Sequence, residues 1–235
     1  MAAESTGKPW TGLLGRIGAK RGHEPEAAAY ATEPASPGTV YPTKALKKFL
    51  ATLTSRANPV LLDLGPVIGP NVSFFGEKLG CKIFVEDFFG DIDRHDRAGT
   101  RGELAAFFGK RFPQDDGSID GILCWDLLDF LDPAVALVLA NQLTRVLKVD
   151  GALLGFFSTA STREAMFTKY VVVDDLSLRH KPYGPQRTRT RVLQNRDIIK
   201  LFDRLRVSDS FLLQTNVREI LFRKPSYLAS AGAGA

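Results

Sequence analysis

Few folds accommodate the run Val60-Leu61-Leu62-Asp63-Leu64-Gly65-Pro66-Val67-Ile68-Gly69-Pro70-Asn71. Three apolar residues suit a buried parallel strand. An acid follows, and a turn carrying Gly65 and Gly69 leads into a helical run from Val72 to Leu79. A strand feeding a glycine-bearing turn at a helix start is how doubly wound α/β proteins build a nucleotide pocket. Glycine lets the backbone approach a ligand closely, and the unpaired N–H groups of a helix start are donors. Asp63 would repel phosphate, so a ligand with an ammonium group or a ribose suits this strand end better.

The sequence downstream repeats the alternation of strand and helix. Cys81 to Val85 reads as a second strand closed by Glu86 and Asp87, and Gly80 ends the helix before it. Phe88 to Arg101 is charged and irregular, and no strand is placed there. Gly102 to Phe112 reads as a helix with Leu104, Phe107, Phe108 and Phe112 on one face. Ile119 to Cys124 is a third strand, Asp132-Pro133 opens a helix reaching Leu147, and Ala152 to Phe157 is another strand. Strands and helices alternating without hairpin spacing predict a parallel sheet covered on both faces. Ser158 to Thr190 is polar, with a strand at Tyr170–Val173. A helix starts at Asn195, and Val207–Leu213 and Val217–Phe222 are close enough to form an antiparallel pair.

Ahead of this domain, residues 1–40 are rich in Ala, Gly, Pro, Ser, Thr and Glu and read as a flexible extension. Within them Trp10, Leu13, Leu14 and Ile17 recur at helical spacing among basic residues. That pattern suits a helix covering its own domain, or one meeting a membrane surface or partner. The folded domain is expected over residues 41–225, with Thr43 capping its first helix, and residues 226–235 form a small-residue tail. Cys81 and Cys124 sit in apolar runs as buried free thiols, and without paired Cys or His spacing structural zinc is not expected. No segment has the length of a membrane span and no secretory core opens the chain, so a cytoplasmic protein is expected. A net charge of +5 favours acidic partners mildly.

Together these segments resemble a class I S-adenosylmethionine-dependent methyltransferase, over about residues 58–224. Asp63-Leu64-Gly65-Pro66-Val67-Ile68-Gly69 is similar to the family's first motif. Asp115 to Asp120, with Trp125-Asp126-Leu127-Leu128-Asp129-Phe130-Leu131, is similar to the segments around its fourth strand. Leu143 to Leu153 is similar to its "Arg-Val-Leu-Lys-Pro-Gly-Gly" stretch. The resemblance implies a Rossmann-like sheet of seven mostly parallel strands, helices on both faces, and a final antiparallel pair. It implies S-adenosylmethionine as cofactor, its methionine part carried by Asp63, Gly65, Pro66 and Gly69. The ribose hydroxyls would fall to Glu86, with Asp87 as competitor, because a carboxylate accepts two hydrogen bonds at once.

Cys124 and Trp125, at the end of the fourth-strand segment, complete the expected cofactor set. Trp125 lies against the cofactor or fills the core beneath it. Cys124 has no neighbouring proline signature and no cation to lower its pKa, so it reads as a core thiol rather than a nucleophile. Arg179, His180, Arg187 and Arg189 are the expected acceptor contacts, suited to an acidic small molecule; alternating arginines on a solvated strand pair are the competing reading. Nucleic acid ranks below, since no RNA-binding module accompanies the patch and the polar-Pro-Pro-aromatic signature of base amino-group methylation is missing. Val67 stands where the family has its middle glycine, Phe130 replaces a histidine, and no acid marks a third strand. These departures keep a catalytically inactive methyltransferase-like binding or scaffold protein as the alternative to an enzyme.

Overall fold

The computed structural model describes residues 38–160, 164–189 and 192–226. The helical pattern around Trp10 and the tail from 227 onward lie outside them. The main sheet has the order β3 (Lys82–Val85), β2 (Val60–Asp63), β4 (Ile119–Trp125), β5 (Leu147–Ser158), β9 (Val217–Arg223), β8 (Arg206–Leu212). β3, β2, β4 and β5 are parallel, and β9 runs antiparallel to both β5 and β8. The antiparallel final pair agrees with the resemblance. The strand count does not: six strands make this sheet among the described residues, where seven are expected. The chain between β3 and β4 instead forms α3 (Phe88–Ala98) and α4 (Leu104–Lys110).

Helix α3 occupies the stretch that looked irregular. Asp87 caps it by accepting from Gly90 N at 2.9 Å, and Gly99 closes it at φ 69°. Its acids are paired, Asp93 with Arg97 one turn on and Asp91 with Arg94 and Arg111, so a charge-rich run is stable as a helix. Its apolar residues Phe88, Phe89 and Ile92 are buried.

Alternation along the strands divides the core between the two faces. Leu62, Ile122 and Leu153 pack with α3, α4, α5 (Pro133–Val146) and α6 (Asn195–Leu201). Leu61, Leu123 and Leu154 pack on the opposite face with Leu46, Phe49 and Leu53 of α1 (Leu46–Thr54) and with Phe75. Each fully buried side chain of this size contributes about 1.5–3 kcal/mol. Helix α1 lies close because β4 offers Gly121 beneath it: a Cβ there would be 2.7 Å from Leu53 Cδ2. Its main cap comes from β9. Glu219, almost fully buried, accepts from Lys44 N and Ala45 N at 2.8 and 2.9 Å, while Thr43 Oγ1 is 3.4 Å from Leu46 N.

A second, antiparallel sheet has the order β1 (Thr39–Pro42), β7 (Ser177–Thr188), β6 (Glu164–Val172). Its β6–β7 hairpin replaces a region that the sequence marked with one short strand. β7 carries Pro182 and Pro185, but β1 pairs with it only as far as His180. Beyond that point one edge is unpaired among the described residues, and a missing N–H is tolerated there. The small sheet lies against the C-terminal ends of β2 and β4. There Tyr170 stacks on Trp125, and Phe167 packs on Phe89 and Phe130.

Candidate functional site

At the C-terminal end of β2 the chain passes from Asp63 into the turn Leu64–Ile68, and α2 (Gly69–Val72) follows, continued by a wider helical turn over Ser73–Lys78. Glu86 ends the neighbouring strand β3, and its N–H donates to Asp63 O at 2.8 Å, which holds the two strand ends together. Val67 is 71% exposed, so its side chain leaves the turn for solvent and does not fill the space above the strands. A Cβ on Gly69 would meet nothing within 4 Å.

The opposite end of the turn is covered. Asp63 Oδ1 accepts from Gly65 N at 2.9 Å and from the Trp125 indole Nε1 at 2.6 Å. Asp63 pairs in register with Leu123, and Trp125 lies two residues further along β4, hence on the same face. The indole runs so close over Gly65 that a Cβ there would be 3.0 Å from its Cδ1 and Nε1. Burial pushes the Asp63 carboxyl up to about 6, against the two N–H donors that favour its charged form.

Glu86 is half-committed. Arg111 Nη1 is 2.6 Å from Glu86 Oε2, and Gln114 Nε2 donates to Oε1 at 3.3 Å. Asp87 turns toward Gly90 as the α3 cap, and burial raises its pKa. Pro66 belongs to the turn itself. Cys124 is fully buried on the helix α5 face of β4, away from Asp63 and Trp125, and burial drives its thiol far above the usual range. Asp63, Gly65, Glu86 and Trp125 are thus brought together, whereas the Cys124 side chain is separated from them by the sheet.

The four expected acceptor contacts are dispersed along β7 and the residue after it. Arg187 is half-buried and paired with both Asp93 and Asp96 of α3, joining the hairpin to that helix. His180 sits between the rings of Tyr41 and Tyr170, and burial lowers its pKa to about 4, so it is neutral at pH 7. Arg179 is half-buried on the same strand. Arg189 alone reaches the ends of the parallel strands, donating to Ser158 Oγ at 3.0 Å and approaching Asp129 at 4.0 Å.

Around Arg189 lies a polar cluster that reading by motif passed over. Asp126 bonds to Thr168 and to the Tyr170 hydroxyl, and Asp129 Oδ2 accepts from Ser158 N at 2.8 Å. Burial is the largest cause that pushes both carboxyls up to about 7. Each keeps an Oδ1 buried and without a hydrogen-bond partner among the described residues. The signal was present in sequence, two acids in an otherwise apolar run from Ile122 to Leu131, but burial was needed to see it. A cavity of about 420 Å³ lies elsewhere, between β1 and the β8–β9 turn; Tyr41 lines it, but Asp63, Glu86, Trp125, Asp126, Asp129 and Arg189 do not.

No protein-family model matches the sequence, and no curated protein matches it either. Among solved structures the chain is similar to the CcbJ methyltransferase from Streptomyces caelestis, at 15% identity and a TM-score of 0.45, over 77% of this chain and 95% of that one. It is similar to a putative sarcosine dimethylglycine methyltransferase from Galdieria sulphuraria, at 14% identity and a TM-score of 0.45, over 76% and 85%. It is also similar to the Burkholderia thailandensis 1,6-didemethyltoxoflavin-N1-methyltransferase, at 15% identity and a TM-score of 0.43, over 77% and 79%. That structure holds 1,6-didemethyltoxoflavin and S-adenosylhomocysteine.

Proposed function

We propose that this chain transfers a methyl group from S-adenosylmethionine to a small-molecule acceptor. The observation that carries the reading is the pair of acids at adjacent strand ends, Asp63 beside Gly65 and Glu86 one strand away, held together by the Glu86 N–Asp63 O bond. One carboxylate suits an ammonium group and the other a cis-diol, and both belong to the same small molecule. The turn fits that molecule along Gly69 and at Glu86, where Arg111 and Gln114 already hold the carboxylate in place. At Gly65 it fits only when the Trp125 indole moves aside.

When bound, the cofactor supplies a methyl group activated by sulfonium charge, so aligning the acceptor can replace much of the work of a base. The acceptor side of the site falls at the ends of β4 and β5. There Arg189 and Ser158 offer hydrogen bonds, and Asp126 and Asp129, beside Thr168 and Tyr170 of the β6–β7 hairpin, offer carboxyls pushed up to about 7. Arg189 would suit an acidic acceptor.

Calorimetry with S-adenosylhomocysteine tests this. Saturable binding is expected, weakened about tenfold or more in Glu86→Ala, the ordinary worth of hydrogen bonds to a charged group. A folded protein that gives no binding heat would leave the inactive scaffold, in which the indole stays over Gly65.

A further inference from the structure

We infer that Trp125 is a latch whose indole N–H holds Asp63 in place of a ligand's ammonium group, so that ligand binding and opening of the hairpin cover are coupled. The inference rests on the cofactor reading above and adds to it how the site is closed. Four observations support it. The bond is direct, with Nε1 2.6 Å from the same Asp63 oxygen that accepts Gly65 N. The indole also lies against Gly65, the position at which the turn would admit a ligand.

The backbone of Trp125 is itself unusual. Its φ is +50°, in the left-handed region that bulky residues rarely occupy and that persists only where surrounding contacts impose it. Those contacts come from the cover and from the main sheet. Tyr170 of β6 stacks on the indole at 5.0 Å and 6°, Phe156 of β5 meets it edge-on at 5.7 Å, and His180 and Tyr41 continue the aromatic series from the small sheet. Tyr170 is bonded to Asp126 as well, so the residue that supports the latch also touches the acceptor-side acids.

An ammonium group is a stronger partner for a carboxylate than a neutral indole N–H. A ligand that carries one displaces Trp125 from Asp63, and Tyr170 then loses the ring on which it stacks. Cofactor binding thereby loosens β6 from the strand ends before the acceptor enters, which makes the order of binding cofactor first. The latch subtracts from apparent affinity by keeping the open form scarce.

The chain has two tryptophans, Trp10 and Trp125, so the full chain with Trp10→Phe reports on Trp125 alone. Titration with S-adenosylhomocysteine is expected to shift its emission saturably, with the same midpoint as calorimetry. Trp125→Phe keeps a ring for Tyr170 but has no N–H, and is expected to bind S-adenosylhomocysteine about tenfold more tightly, the ordinary weight of one hydrogen bond to a charged group. Binding only in Trp125→Phe also supports the latch. If the wild type binds while Trp125 emission stays fixed, the latch is overturned and the cofactor reading stands; equal affinity in a folded Trp125→Phe has the same meaning. If neither protein binds, the cofactor reading fails and the latch with it.

Discussion

Asp126 and Asp129 carry the clearest pH signature in the molecule. Both are buried, and each is pushed from the ordinary carboxylate range up to about 7. Asp126 faces the hydroxyls of Thr168 and Tyr170 and the charge of Asp129, and Asp129 faces Ser158 N and Arg189. Below about pH 4 each acid is protonated folded or unfolded. Between pH 4 and 7 the unfolded chain releases protons that the native state keeps, so stability falls as pH rises, and above pH 7 the loss is complete. His180 works in the opposite sense, because its depressed pKa lends stability above about pH 6.5 that is lost as pH falls toward 4. Comparing wild type with Asp126→Asn cancels the histidine. Denaturant titrations at pH 4.5 and pH 8 should show the variant gaining on the order of 1–3 kcal/mol relative to wild type between them. A difference that does not change with pH would mean that burial is not what raises this acid.

At the scale of elements, the parallel strands were legible, because apolar runs of four to seven residues between turn signals have few other uses. The acid pair of the site was legible for the same reason: each acid ends such a run. What escaped were α3 and the β6–β7 hairpin, and both failed to show for a shared cause. Asp93 and Asp96 fell in a stretch that read as charged and irregular, and Arg187 was expected as an acceptor contact, but they neutralise one another across 91 residues or more of sequence. Pairwise charge over that distance leaves no local pattern. Trp125 was read as a cofactor neighbour or a core filler and is placed as neither alone, since its bond to Asp63 depends on register between β2 and β4. The Arg187 contact gives an element-scale prediction. Arg187→Ala takes one of two cations from each of the half-buried carboxylates Asp93 and Asp96, which keep Arg97 and Arg101, and should cost about 1–3 kcal/mol, the range for hydrogen bonds to charged groups. Adding Asp93→Asn and Asp96→Asn should recover much of that cost in urea denaturation. A single variant as stable as wild type would show that the hairpin is held by its apolar side alone.

For the whole molecule the question is how two sheets of different hydrogen-bond systems act together. The main sheet is closed by two apolar layers, whereas the small sheet is joined to it by a few polar links around an aromatic contact. One of those links bridges the two with both ends of a single side chain. Asn71, at the start of the helix after the glycine turn, donates through Nδ2 to Tyr170 O and accepts at Oδ1 from Val172 N, each at 2.8 Å. It acts as a piece of neighbouring strand for β6, and it is itself almost fully buried. Asn71→Ala strands a backbone donor and an acceptor and should cost about 2–3 kcal/mol locally. Because Tyr170 is the stacking partner of Trp125, that local loss falls on the cover of the site. Hydrogen exchange separates the two outcomes. If the small sheet opens as its own cooperative layer, exchange at Val172 and along β6 should accelerate tenfold or more while the amides of β4 and β5 keep their protection. If all strands accelerate together, the sheets unfold as one body and the cover does not open independently of the strands that carry Asp63 and Glu86.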